Sequence, residues 1–106
     1  MLFRLSHLSA SISYWGARGV TAIANAMEKN NTILVLDIGS PHEEDKAKIH
    51  EAMRHVARML EVNTTLQDFG LYSARLDCEA ATILSQGIEN AKHLKVLRYG
   101  SAMITM

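Results

Sequence analysis

One stretch of this chain returns twice, and that return limits the possible folds more than any other feature. The first copy is Asn30-Asn31-Thr32-Ile33-Leu34-Val35-Leu36-Asp37-Ile38. Asn63-Thr64-Thr65-Leu66-Gln67-Asp68-Phe69-Gly70-Leu71 repeats it closely, and His93-Leu94-Lys95-Val96-Leu97-Arg98-Tyr99 repeats it more loosely. Each copy has the skeleton apolar-x-x-apolar-x-apolar: Ile33, Leu36, Ile38; then Leu66, Phe69, Leu71; then Leu94, Leu97, Tyr99. The copies are offset by 33 residues (Ile33 to Leu66) and by 28 (Leu66 to Leu94), with a helical pattern in each gap.

A short strand with one apolar face cannot bury that face alone, and neither can a helix with one apolar stripe. Stacking such units side by side buries both. Parallel neighbours need a crossover of at least about a dozen residues, which each gap supplies as a helix, and the crossover should be right-handed. Period and skeleton together are those of a leucine-rich repeat array. The expected fold is therefore α/β: a leucine-rich repeat solenoid with a short parallel sheet on its concave side and helices on its convex side. The chain, 1–106, reads as a single such domain with repeats near 1–29, 30–62, 63–90 and 91–106. It opens almost inside a repeat, so a longer array upstream is an expectation.

The elements follow in order. Leu2, Leu5 and Ile12 suggest a degraded first repeat, with His7 and Ala10 where an apolar residue and Asn are usual. A turn region, 11–18, carries Tyr14 and Trp15. A helix opens at Gly19 and runs to Lys29, with Val20, Ile23, Ala24 and Met27 on one face, and strand 32–38 follows. Ser40-Pro41-His42-Glu43 has the form of a capping box, so the next helix starts either there or near Asp45 and runs to Leu60. Its inward stripe is Ile49, Met53, Val56 and Leu60, with Ala52 and Ala57 beside it. Strand 65–71 comes next. Asp77 caps a helix over Cys78–Glu89 with Ala80, Ile83, Leu84 and Ile88 inward; Gly87, inside it, makes sense only if it permits close packing. The last strand is 93–99, and 100–106 is a tail expected to fray.

Totals exclude several classes. Eleven basic residues balance eleven acidic ones, which gives no electrostatic reason to expect nucleic acid or an anionic membrane. The single cysteine, Cys78, rules out an internal disulfide and fits a reducing compartment. No apolar run approaches the roughly 18 residues of a membrane helix, and the N-terminus lacks the layout of a signal peptide. The expected location is cytoplasmic, with no membrane insertion and no nucleic acid partner.

The stretch from Gly19 to Leu36 resembles leucine-rich repeats of the ribonuclease-inhibitor type. The segment from Ile49 to Leu71 resembles one branch of them more closely. Ala57-Arg58-Met59-Leu60-Glu61-Val62-Asn63-Thr64-Thr65-Leu66, followed by Phe69-Gly70, is similar to the end of the leucine-rich domain of tropomodulins and leiomodins. That resemblance covers roughly residues 16–71. It implies an actin-associated, cytoskeletal role, since that family binds actin at filament pointed ends. The family's Gly-Pro-Arg after the Phe-Gly strand is replaced here by Tyr72-Ser73-Ala74-Arg75. Its basic C-terminal helix and its tropomyosin-binding region are absent from the sequence, so pointed-end capping does not transfer residue by residue.

No catalytic, cofactor or metal set emerges. His50 and His55 are five apart, about 140° around a helix rather than on one face, and none of His7, His42, His50, His55 and His93 forms the His-x-x-x-His pair of a helical zinc site. Cys78 with Glu79 and a distant His has no local signature of a nucleophile. Binding candidates are the residues between skeleton positions, which should line the concave face: Leu34, Val35 and Asp37; Gln67, Asp68 and Gly70; Lys95, Val96 and Arg98. Leu34, Val35 and Val96 are apolar where a solvated face would be polar, and apolar residues among charges suit a protein partner. The alternative is that they meet a missing neighbour or another copy of the chain, giving self-association through exposed array ends. Tyr14 and Trp15 either anchor a partner or plug the open first repeat, with plugging favoured. The expected function is a non-catalytic protein-interaction module, tropomodulin-like, with actin as the suspected partner. The alternative is a generic leucine-rich repeat adaptor of the ubiquitin-ligase or immune-receptor type.

Overall fold

A computed structural model describes residues 7–10, 16–39, 45–72, 76–99 and 102–105. It is an α/β protein. The strands are β1 (His7–Ala10), β2 (Val35–Gly39), β3 (Asp68–Tyr72), β4 (Val96–Tyr99) and β5 (Ala102–Thr105); the helices are α1 (Ala17–Met27), α2 (Lys46–Val62) and α3 (Cys78–Glu89). All five strands form one sheet in chain order, β1 to β4 parallel and β5 antiparallel to β4.

Register follows the repeated skeleton. Leu36 pairs with Phe69 and Phe69 with Leu97; Ile38 pairs with Leu71 and Leu71 with Tyr99. The three inner strands lie parallel and adjacent, as the spacing requires. Each begins three residues later than the sequence pattern suggests, at Val35, Asp68 and Val96 rather than 32, 65 and 93. In the first two copies an asparagine turn takes up the difference. Asn30 Oδ1 accepts from the Thr32 and Ile33 amides at 3.0 and 2.8 Å, and Asn63 Oδ1 accepts from Thr65 and Leu66 at 2.8 and 2.7 Å. Ladder bonding resumes at the same place each time: the Leu34 carbonyl accepts from the Gln67 and Asp68 amides, and the Gln67 carbonyl from Lys95 and Val96.

Two expectations at the sheet edges are corrected. In the first repeat, Leu2, Leu5 and Ile12 lie outside the described residues. Leu8 pairs with Leu36 and Ala10 with Ile38, so Ala10 holds a skeleton position and not the asparagine one. The tail does not fray as a whole: Ala102–Thr105 pairs along β4, Thr105 opposite Val96. Met103, Ile104 and Thr105 suit a strand, and their pairing covers a row of β4 backbone groups that would otherwise face solvent.

Helices α1, α2 and α3 line up against the skeleton side of the sheet, α1 on α2 and α2 on α3. Helix α1 starts before Gly19 because Ala17 extends the buried stripe Ala17, Val20, Ala24, Met27 by one turn. Helix α2 takes the later of its two expected starts: the Asp45 side chain caps it, accepting from the Ala47 amide at 2.9 Å. The Ser40–Glu43 capping box lies outside the described residues. Helix α2 buries Ala52, Met53, Val56, Ala57 and Leu60 of the expected stripe, leaves Ile49 only partly covered, and buries Met59 as well, because helices flank it on both sides and it hides more than one face. Helix α3 starts where expected, with Asp77 accepting from the Ala80 amide at 2.8 Å. Ala80 and Leu84 are buried there, while Ile83 and Ile88, at the end of the helical layer, are only partly covered.

Gly87 explains how tightly α2 and α3 meet. A methyl group on it would lie 2.5 Å from Ala57 Cα and 2.6 Å from Ala57 Cβ. The obstacle is backbone, so a side chain at 87 would force the helices apart. Between sheet and helices sit the most deeply buried residues, among them Phe69, Leu36, Met53, Met59 and Leu71.

Candidate protein-binding face

Side chains alternate across a strand, so residues between skeleton positions leave the helical side. Among the described residues no helix covers that second face. Two rows cross it. One is Val35, Asp68 and Val96; the next is Asp37, Gly70 and Arg98. Leu34, Gln67 and Lys95 are exposed just before their strands, with Leu34 at 37% exposure among the most exposed large apolar residues described.

The two rows are tied by one arginine. Arg98 Nη2 lies 2.9 Å from Asp37 Oδ1 and 3.0 Å from Asp68 Oδ1, and Arg98 Nε donates to the same Asp68 oxygen at 3.0 Å. Asp68 is on the neighbouring strand, but Asp37 is two strands away. Neighbouring strands are about 4.8 Å apart, so the guanidinium must cross β3. The residue it crosses, in register between Asp37 and Arg98, is Gly70. Any side chain there on this face would stand in the path.

This arrangement modifies one expectation. Asp37 lies in the expected row but is only 5% exposed. It holds Arg98 from beneath and offers little to a partner. A carboxylate this buried is tolerable when it is paired, since an isolated buried charge is strongly unfavourable. Val35, Asp68, Val96 and Arg98 are half-buried, and Gln67 and Lys95 are exposed. The register therefore puts Val35, Asp68, Val96 and Arg98 along one face, with the buried Asp37 in the same row as Arg98, while Leu34, Gln67 and Lys95 are exposed immediately before the strands. Tyr14 and Trp15 lie outside the described residues. The sequence signal for the arginine bridge was slight: a glycine at the one skeleton-adjacent position where its neighbours carry opposite charges.

Two of the histidines, His50 and His55, link helices. His50 Nε2 sits 2.9 and 3.0 Å from the two Asp77 oxygens, and its Nδ1 is 3.5 Å from Glu79. His55 Nδ1 is 2.9 Å from Asn25 Oδ1. Their angular separation sends one to α3 and the other to α1. Cys78 is exposed at the start of α3. Among the described residues, no group of three His, Cys, Asp or Glu side chains is placed to hold a metal ion, and no helix is long and apolar enough to cross a membrane. An open groove of about 490 Å³ lies between α1 and α2, remote from the sheet face, with Arg18 and Lys48 on its walls.

Among the described residues, Asp77 is the group whose acidity the fold clearly changes. The Ala80 amide, then the His50 imidazole, hold its carboxyl below the ordinary value of 3.8; slight desolvation opposes them, and the charges of His50 and Lys46 add to the lowering. A carboxylate held below its unfolded value stabilises the fold above that value. Its contribution is lost as pH falls through the folded value. Asp77→Asn keeps a good cap but cannot titrate. Its stability should therefore fall less than the parent's between about pH 5 and pH 2, read from denaturant midpoints at each pH. Equal falls would show that Asp77 contributes nothing to the acid response.

No family model matches the chain, and no curated protein or solved structure matches it.

Proposed function

We propose that this chain is a leucine-rich repeat module that docks another protein on the open face of its sheet, without catalysis, and that the partner is cytoplasmic actin. The observation that carries the docking reading is the face itself. Half-buried Val35 and Val96 share that face with an arginine that two carboxylates already hold in place, and exposed Leu34 lies just before β2. Arginine is enriched at protein interfaces, and here it shares its face with apolar side chains. Much of the freedom of the Arg98 side chain is lost on folding rather than on docking, which favours affinity. The repeated strand-helix order, the aligned skeleton and the asparagine turns support the solenoid reading. The choice of actin rests on the tropomodulin-like segment from Ile49 to Leu71, whose helix, asparagine turn and Phe-Gly strand are α2, Asn63 and β3.

The test is co-sedimentation with actin filaments at modest salt. The protein is expected to pellet with filaments in a saturable way and to stay in solution without them. If it remains in the supernatant at filament concentrations of tens of micromolar, actin is the wrong partner. The same face would then have to be assigned to an adaptor role.

A further inference from the structure

We draw no further inference here: the strongest candidate, the groove between α1 and α2 walled by Arg18 and Lys48, is open to solvent, and nothing in the structure shows what covers it.

Discussion

Phe69→Ala is expected to lose about 3–5 kcal/mol of folding stability, the usual cost of truncating a buried aromatic to a methyl group. Phe69 is fully buried on β3, the middle strand of five, with Leu36 and Leu97 as its neighbours in register. The helical layer closes over it from the other side. Little in such a site can move to fill the space, since each neighbour is fixed by its own strand or helix. A domain of this size has total stability of roughly 5–15 kcal/mol, so the variant should be marginal or unfolded at room temperature. Phe69→Leu, which keeps much of the volume, should lose far less. Urea unfolding followed by circular dichroism measures both. An alanine variant melting within a few degrees of the parent would show that Phe69 is not at the centre of the core.

Asn63→Ala is expected to cost roughly 2–4 kcal/mol, because it strands several backbone groups at about 1–3 kcal/mol for each one that stays buried. Asn63 is 4% exposed and works in two directions. Its Oδ1 accepts from the Thr65 and Leu66 amides, and its Nδ2 donates to the Met27 and Asn30 carbonyls at 2.6 and 3.1 Å. The first pair shapes the entry to β3. The second ties that turn to the end of α1 and the turn before β2, so one amide joins two successive repeats. Asn30 makes the first kind of bond and is only half-buried. Asn30→Ala should therefore cost clearly less, because water reaches the groups it leaves. Denaturant midpoints of the two variants compare them directly. Equal losses would mean that the bridge from Asn63 to the preceding repeat contributes little. The third copy has Ala91 at this position, three residues before Leu94, and so has no side chain to make either set of bonds.

What could be read from the sequence follows from how local each feature is. The skeleton Ile33, Leu36, Ile38 and its copies gave strand register, because alternation and period are properties of the chain itself. The Asp77 cap was legible for the same reason: the side chain and the amide it bonds are three residues apart. Burial of Met59 was not, because it depends on α2 having a helix on either side. The depth of Asp37 was not legible either. It depends on Arg98, on another strand, and on the absence of a side chain at Gly70 between them. In the first repeat Ala10 was misplaced because Leu2, Leu5, Leu8 and Ile12 offer several apolar choices, and only pairing with β2 puts Leu8 and Ala10 at skeleton positions. The closing strand β5 runs against the parallel pattern, so no repeat signal could reveal it.

The central claim is that docking uses the open sheet face and not the helical layer. It is tested most directly by filament co-sedimentation of two variants shown by thermal melting to be folded. Leu34→Glu with Val96→Glu places one carboxylate just before β2 and one on the open sheet face. Glu51→Lys with Arg54→Glu reverses an exposed pair on α2 and leaves the net charge unchanged. The account predicts that the first variant loses at least about tenfold in apparent affinity, equivalent to roughly 1.4 kcal/mol, while the second binds like the parent. Loss confined to the α2 variant, or undiminished binding by the sheet-face variant, would contradict it.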